Sequence, residues 1–267
     1  MTTYPIKHLA KLLIRPTLLS LLALQAYVPA AEATTPQHDG AADTISHRHA
    51  ASTAFSPWEA GAIVTLDSAE AYGIDRCFAA GAIDERTFKL MQGKSYKSGC
   101  AMPLTDLRYL RVLHYTADGS IKLGEIVCHK DIAEDLLYIF RQLFSSRYPI
   151  ERMMLIDRYE ADDIRSMTSN NTSCFNYRAV AGSRTLSNHS RGRAIDINPL
   201  YNPCVKWSNG RQSVSPPSGK PHSVRGGKQT PYRKIDHDDL CYKLFKSRGF
   251  RWGGDWRTLK DYQHFEK

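Results

Sequence analysis

Two short segments near the C-terminus constrain the fold more than any other part of the chain. Residues 187–196 read SNHSRGRAID, and residues 261–266 read DYQHFE. Together they offer two imidazoles and a carboxylate, from His189, His264 and Asp196. Three such ligands, with an open position for water, are the donor set of a catalytic zinc site. A fold that uses them must bring the two segments together.

The first segment predicts a turn followed by a short strand. Gly192 allows the chain to turn tightly, and residues 194–198 then alternate as in a strand. Ile195 and Ile197 share one face, which we assign to the core, so that Asp196 on the other face is expected to point into a cleft. His189 would lie on the loop beside this strand.

The second segment follows the same rule. Alternation places His264 and Glu266 on one face of the last strand, with Asp261 at the entrance of that strand. We expect Asp261 to lie beside the metal without binding it, where it would accept a proton from water and return it to a leaving amine. Glu266 would orient a ligand histidine from outside the ligand shell.

A single pair of His and Asp is weak support for a metal site, because such pairs more often form a hydrogen bond or a capped turn. The flanking residues are more specific. The pattern S-x-H-x-x-G-x-A-x-D, then W-G-G-x-W at residues 252–256 and D-x-x-H-F-E, resembles the zinc peptidases of the D-alanyl-D-alanine carboxypeptidase family, the M15 peptidases. This family includes phage and bacterial L-alanyl-D-glutamate endopeptidases. Residues 170–178 and 198–203 look like the endopeptidase-like branch, and the resemblance spans roughly residues 105–267.

The resemblance implies a hedgehog/DD-peptidase-like zinc peptidase fold with one zinc ion per chain. It implies that His189, Asp196 and His264 hold the zinc and that Asp261 is the general base. It also implies that Arg178 stabilises the oxyanion, a role for which a guanidinium is chemically suited. An ordinary surface ion pair is the alternative for Arg178. Ser187 would either hydrogen-bond the substrate or support the turn.

The function that follows is a secreted zinc metallopeptidase that hydrolyses an amide bond in peptidoglycan stem peptides. Two activities stay open, a D-Ala-D-Ala carboxypeptidase and an L-Ala-D-Glu-type endopeptidase. Many carboxypeptidase and dipeptidase members carry Glu where this chain has Asp261, which favours the endopeptidase-like branch. The alternative is a non-catalytic, zinc-stabilised cell-wall-binding or structural module. Such a module would need neither Asp261 nor Arg178, and their presence favours an enzyme.

Strands and helices are mixed along the chain without a βαβ repeat, which predicts an α+β fold with a small antiparallel sheet and flanking helices. Residues 107–115 and 121–128 have strand character on either side of an Asp-Gly turn and indicate a hairpin. Residues 53–104 have mostly helical character and precede the peptidase domain at 105–267. Residues 200–233 are rich in Pro, Gly, Ser and Lys, and we expect a long loop there that forms one wall of the cleft.

The N-terminus has the pattern of a secretory signal peptide. Three basic residues precede an apolar run at 18–28, and Ala31 and Ala33 form a small-x-small cleavage site. We therefore expect residues 1–33 to be removed and 34–52 to be a flexible linker, with no membrane span left after cleavage. The mature protein would be exported, periplasmic or extracellular, and associated with the cell wall.

Six cysteines in an exported chain suggest disulfides. Spacing makes Cys77–Cys100 and Cys174–Cys204 plausible pairs. The formal net charge is +9, which favours attraction to a polyanion such as the cell wall. The basic residues are scattered along the sequence, which argues against nucleic acid as a partner. We expect a monomer whose partner is the peptidoglycan stem peptide.

Overall fold

The computed structural model describes residues 54–225 and 234–267. The expected signal peptide at 1–33 and the expected linker at 34–52 lie outside the described residues. In the part of the chain that is described, no helix has the length and apolar content to cross a membrane.

Within the described ranges the chain is a mixture of short helices and short strands, as expected for an α+β protein. The helices are α1 Leu66–Tyr72, α2 Glu85–Met91, α3 Lys130–Ser145, α4 Asp163–Thr168 and α5 Leu240–Ser247. The strands are β1 Ile63–Val64, β2 Ala79–Gly81, β3 Leu107–Tyr115, β4 Ile121–His129, β5 Arg152–Met153, β6 Asn171–Thr172, β7 Ala194–Asp196, β8 Cys204–Ser208, β9 Arg211–Ser215, β10 Arg251–Trp252, β11 Leu259–Asp261 and β12 His264–Glu266.

The predicted hairpin is confirmed and forms the centre of the largest sheet. β3 and β4 pair antiparallel over their full length, from Leu107 opposite His129 to Tyr115 opposite Ile121. The four-stranded sheet has the order β1-β4-β3-β2. Helix α3 packs against β3 through one apolar face, as its sequence period predicts. The buried residues of this face include Ile132, Leu136, Ile139, Phe140 and Leu143.

Residues 54–104 are less helical than expected. They contain α1 and α2, two short 3-10 turns, and the two edge strands of the main sheet. β1 pairs with β4 and β2 pairs with β3. The helices start where side-chain caps are available, since Thr65 and Asp84 accept backbone N–H groups at the starts of α1 and α2. The edge strands are two and three residues long, which is too short to produce a period in the sequence.

The C-terminal third of the chain builds two three-stranded sheets, of order β10-β12-β7 and β11-β8-β9. The expectation of an unstructured loop over 200–233 was wrong for its first half. Residues 204–215 form the β8–β9 hairpin, with Cys204 opposite Ser215 and Ser208 opposite Arg211. Asn209 and Gly210 both have positive φ and make its turn, the conformation that two-residue hairpin turns require. Residues 226–233 lie outside the described residues.

The expected disulfides are not formed, and all six cysteines are free thiols. Cys77 lies in the main core, whereas Cys100 packs against a separate apolar cluster around Met91 and Leu107. Cys174 is buried in the main core, and Cys204 is only partly buried on β8. The spacing of the cysteines along the chain therefore did not identify a bonded pair in the structure.

Candidate metal centre

The first histidine of the site is held by a tight turn. Residues 188–191 form a 3-10 turn, and its cap Ser187 accepts the N–H of His189 at 3.3 Å. Gly192 ends the turn with φ at +64°, and a Cβ there would lie 2.6 Å from the backbone nitrogen of His129. That nitrogen donates to the carbonyl of Gly192 at 2.8 Å. Glycine at this position therefore lets the turn dock directly on the end of β4.

The other two ligand candidates meet across a strand pair. β7 and β12 are antiparallel, with His264 directly opposite Asp196 and Phe265 opposite Ile195. Side chains of directly opposed residues lie on the same face of the sheet. The neighbouring pair faces the other way, because Ile195 and Phe265 are both fully buried in the main core. The two sequence motifs are thus joined by one strand pairing. The faces that the side chains occupy are those that the alternation in each strand predicts.

The structure brings His189, Asp196 and His264 together into one cluster. One ligand atom from each residue lies within 4.8 Å of the others, and all three residues are buried. His189 Nε2 is 3.3 Å from Asp196 Oδ2, and His264 Nδ1 is 3.1 Å from Asp196 Oδ1. The carboxylate therefore lies between the two imidazole rings, with one oxygen directed at each.

The outward-facing nitrogens of both rings are occupied by fixed acceptors. His189 Nδ1 lies 2.6 Å from the carbonyl oxygen of Cys174, and since a carbonyl only accepts, Nδ1 carries the proton. His264 Nε2 lies 3.2 Å from Glu266 Oε2. These contacts leave Nε2 of His189 and Nδ1 of His264 to face the shared space. Outer partners that fix the ring nitrogens in this way are typical of metal-binding histidines.

The two imidazoles and the carboxylate of the cluster shift each other's pKa values strongly. Burial would raise the pKa of Asp196, but the charges and hydrogen bonds of His189 and His264 lower it far below its ordinary value. Burial would lower the pKa of His264, but hydrogen bonds to Asp196 and Glu266 raise it to about 10. Two imidazoles and one carboxylate form a donor set that zinc accepts, and their convergence in a buried space fits such an ion.

Asp261 lies beside the cluster but outside it. It ends β11 and is directly opposite Cys204 of β8. Burial and the charge of Asp261 raise the pKa of the Cys204 thiol far above its ordinary value. Its Oδ1 is buried and has no hydrogen-bond partner among the described residues. Burial and the charge of Asp196 raise the pKa of Asp261 to about 6, although His264 opposes the shift. A buried carboxyl group that has a pKa near neutrality, and one oxygen without a hydrogen-bond partner, has the properties of a general acid or base.

The W-G-G-x-W segment packs on this acid. Gly253 is so close that a Cβ would lie 2.6 Å from the backbone oxygen of Asp261 and 2.8 Å from its Cβ. The ring of Trp256 lies 5.1 Å from the ring of His264, centroid to centroid, and is tilted by 52°. This segment therefore forms a wall of the site. Its close packing limits where Asp261 can lie relative to His264.

The backbone of Arg178 is tied to the histidine turn. Its N–H donates to Ser190 Oγ at 2.8 Å, and its carbonyl accepts from the N–H of Ser187 at 3.1 Å. Its guanidinium forms an ion pair with Asp163 of α4. Among the described residues, no hydrogen bond or ion pair joins Arg178 to a ligand candidate. Ser187 itself caps the turn through its hydroxyl, which supports the turn-forming alternative for that residue.

Four contacts of the site were not expected from the sequence. The first is the carbonyl of Cys174. Every residue has a backbone carbonyl, so the residue type does not indicate which one accepts a hydrogen bond. The others involve Asn188, whose Nδ2 donates to Glu266 at 2.6 Å, the Cys204 thiol beside Asp261, and the Trp256 ring over His264. Asn188 is adjacent to His189 in the motif, so its polar side chain was the one available signal.

The comparison with known families agrees with this geometry. Residues 181–267 match the M15 peptidase family model described as D-alanyl-D-alanine carboxypeptidase. Over this C-terminal third the chain is similar to the M15 peptidases. The match includes all three ligand candidates together with Asp261 and Glu266, whereas Arg178 lies just before it. This similarity supports, in general terms, a peptidase that acts on peptidoglycan. No solved structure gives a significant match to the chain.

Proposed function

We propose that the chain is an exported zinc peptidase that hydrolyses an amide bond in the stem peptides of peptidoglycan. The observation that carries the proposal is the convergence of His189, Asp196 and His264 in one buried cluster, beside a carboxyl group with a free oxygen. M15 peptidases are generally zinc-dependent, and the donor set fits zinc. The proposal includes a hedgehog/DD-peptidase-like fold for the domain at 105–267.

The three ligand candidates would hold the ion through His189 Nε2, a carboxylate oxygen of Asp196 and His264 Nδ1. When bound, zinc supplies Lewis acidity, which makes a water a better nucleophile and a carbonyl carbon a better electrophile. Glu266 and the Cys174 carbonyl hold the outer ring nitrogens, so the inner nitrogens keep their orientation. These contacts would fix the ligand geometry before the ion arrives.

Asp261 would carry the proton. As a carboxylate it takes a proton from the water that attacks the amide carbonyl carbon, and it then gives the proton to the leaving nitrogen as the C–N bond breaks. Its pKa of about 6 suits both transfers near neutral pH. Arg178 would stabilise negative charge on the carbonyl oxygen, and its ion pair with Asp163 would hold the guanidinium in one orientation.

The choice of bond is part of the proposal. We infer an endopeptidase-like cleavage within the stem peptide in preference to removal of a terminal D-Ala, because the proton carrier is Asp261. The strand pairing of β11 with β8 places the β8–β9 hairpin next to this acid. The hairpin would therefore form one wall of the peptide cleft, with the Trp256 side as the other.

The test is mass spectrometry of purified peptidoglycan fragments after incubation with the mature, zinc-loaded protein. An isosteric Asp261→Asn variant is the matched control, since it removes the proton carrier and leaves the three ligand candidates intact. We expect new fragments with the wild-type chain only. Their masses separate an internal cleavage from the loss of a terminal D-Ala.

An unchanged fragment spectrum with zinc bound would reject the peptidase. It would favour a zinc-stabilised cell-wall-binding module, which needs the ligand candidates but not Asp261. The same preparations would report location and assembly, since we propose a monomer that is exported to the periplasm or the cell exterior after removal of residues 1–33. Cleavage after Ala33 is measurable as the mass of the protein recovered from that compartment.

A further inference from the structure

A second site lies in the part of the molecule to which the catalytic proposal gives no role. A half-open cavity of about 740 Å³ is lined by α2, the edge strand β2, residues of β3 and β4, and Trp58. None of its lining residues belongs to the candidate metal centre, and Asp261 and Arg178 do not line it either. A volume of this size is in the range of sites that bind small organic ligands.

The lining of the cavity is strongly cationic. It contains four basic and two acidic side chains, which are Arg86, Lys89, Arg111, Arg158, Asp84 and Glu125. Charges gathered in a concave, partly desolvated space attract ligands of opposite sign more strongly than charges spread over a flat surface. The excess of positive charge therefore predicts an anionic ligand.

Both carboxylates already accept hydrogen bonds within the protein. Asp84 caps α2 by accepting the N–H of Thr87 at 2.7 Å. Glu125 is buried and accepts from Tyr109 Oη at 2.9 Å and from Arg158 Nε at 2.7 Å. Glu125 also accepts the N–H of Leu155 at 3.3 Å, so three of the about four acceptor positions of this carboxylate are filled.

Arg111 is held without a carboxylate partner. It is directly opposite Glu125 in the β3–β4 register, yet among the described residues no carboxylate lies within ion-pair distance of its guanidinium. Its guanidinium instead lies over the Trp58 ring, 5.4 Å from the centroid, and Trp58 Nε1 is fixed by the carbonyl of Gly124 at 3.1 Å. A guanidinium placed on an aromatic face keeps its N–H groups available for a planar anion.

Arg86 and Lys89 supply the outer charge. Both are exposed on α2, and within the described residues neither forms an ion pair. With Arg111 they give three cations around one space that is much larger than a single ion. Leu90 and Leu155 add an apolar part to the lining. The ligand that satisfies charge, size and apolar surface together has several carboxylates on a short organic backbone.

We propose that this cavity is a binding site for an acidic peptide of a few residues, separate from the site of hydrolysis. Its carboxylates would contact Arg86, Lys89 and Arg111, and its backbone would lie along the edge strand β2. The proposal rests on the residues that line this cavity and does not require the proposed peptidase activity.

The experiment is calorimetric titration of the full, zinc-loaded chain with N-acetyl-Ala-Glu-Glu-Ala-amide. The neutral control peptide carries Gln at both Glu positions. Arg86→Gln with Lys89→Gln removes two cavity charges from exposed helix positions, and Lys243→Gln with Lys246→Gln removes the same charge from exposed positions on α5. We expect the first pair to weaken binding about tenfold or more and the second pair less than about twofold. Hydrogen exchange should slow over residues 79–91 when the acidic peptide binds.

Several results would overturn the proposal. Binding of the neutral peptide with equal affinity would remove the carboxylate argument. Equal weakening by the two variant pairs would show general charge attraction and no site. An absence of heat at millimolar peptide, or tighter binding of a phosphoserine peptide of the same length, would reject the ligand class. Because the cavity and the metal centre share no residue, loss of peptide binding and loss of hydrolysis can be measured independently.

Discussion

At the residue scale, the central question is how a histidine on a short terminal strand keeps one ring nitrogen directed inward. Glu266 answers it for His264. Its carboxylate lies 3.2 Å from His264 Nε2 and also accepts from Asn188 Nδ2, while its other oxygen pairs with Arg251 Nη2 at 2.8 Å. The hydrogen bond to His264 and that from Asn188 lower the pKa of Glu266 to about 2 against the effect of burial. The group is therefore a carboxylate throughout the range in which the protein would work.

Glu266→Gln tests this orienting role. Glutamine keeps the size and an acceptor oxygen but loses the charge that favours the inward-facing His264 Nδ1 as ligand. We expect zinc affinity to fall about 10- to 100-fold, measured by competition with a chromophoric chelator. Glu134→Gln, an exposed carboxylate on α3, is the matched control and should leave the affinity unchanged. Equal zinc affinity for Glu266→Gln and wild type would assign Glu266 a purely structural role.

Residue types and spacing, together with the resemblance to the M15 peptidases, were sufficient to find the cluster. His189, Asp196 and His264 meet because alternation in two short strands is a local property, and local properties survive in the sequence. Contacts made by the backbone, such as that of the Cys174 carbonyl with His189, do not depend on the side-chain type. They could therefore not be predicted from the sequence. The cysteine pairs failed for a related reason, because pairing depends on distance in space and the spacing along the chain did not report it.

At the element scale, the turn formed by residues 253–255 sets the position of the proton carrier. The backbone of Gly253 approaches Asp261 so closely that a methyl group would overlap both its carbonyl oxygen and its Cβ. Gly253→Ala should therefore displace Asp261 from the cluster. A displacement of about 1 Å in an active site costs on the order of 100-fold in rate. We expect a decrease of that size in kcat/KM for peptidoglycan fragments, at a temperature where the variant is folded.

Gly119→Ala is the control for general destabilisation. Gly119 makes the β3–β4 turn with φ at +85° and has open space around it, so alanine there strains the backbone far from the site. We expect a loss of about 1 kcal/mol in unfolding free energy without loss of activity. If Gly119→Ala and Gly253→Ala lowered activity in proportion to their loss of stability, the turn would have no positioning role.

The longer elements could be predicted and the shorter ones could not. β3, β4 and α3 are nine or more residues long, so their periods are visible in the sequence. β8 and β9 were hidden because Lys, Ser, Gln and Arg dominate a hairpin that is exposed on most of its surface. β1 and β2 owe their strand state to the edges of the main sheet, which is a tertiary effect that a local pattern does not contain.

At the scale of the whole molecule, the metal-centre strands share one apolar core with the main sheet, since Ile195 and Phe265 belong to the same buried cluster as Leu110 and Ile126. The N–H of His129 at the end of β4 donates to Gly192, and the carbonyl of Val127 accepts from Phe175. The site is therefore only as stable as the sheet on which it docks. Groups buried within that sheet should control how the entire protein responds to pH.

His114 is the clearest such group. It lies on β3, is fully buried, and donates from Nδ1 to the carbonyl of Ile150 at 2.7 Å. Burial lowers its pKa to about 4, and the positive charge of Lys122, its cross-strand partner, acts in the same direction. The unfolded chain, with a pKa of about 6.5, binds this proton more readily than the folded chain. The contribution of neutral His114 to the free energy of unfolding is therefore fully present above pH 6.5. It is lost as the pH falls from 6.5 towards 4.

The size of the effect and its test follow from this shift. The difference between the two pKa values corresponds to on the order of 3 kcal/mol of unfolding free energy by proton linkage. His114→Asn keeps an N–H donor near the position of Nδ1 and removes the titration. Urea unfolding at intervals from pH 7 to pH 4 should therefore give a steeper loss of stability for wild type than for the variant. Carboxylates of the metal centre titrate in both chains and cancel in the difference, so parallel profiles would show that His114 does not control the acid response.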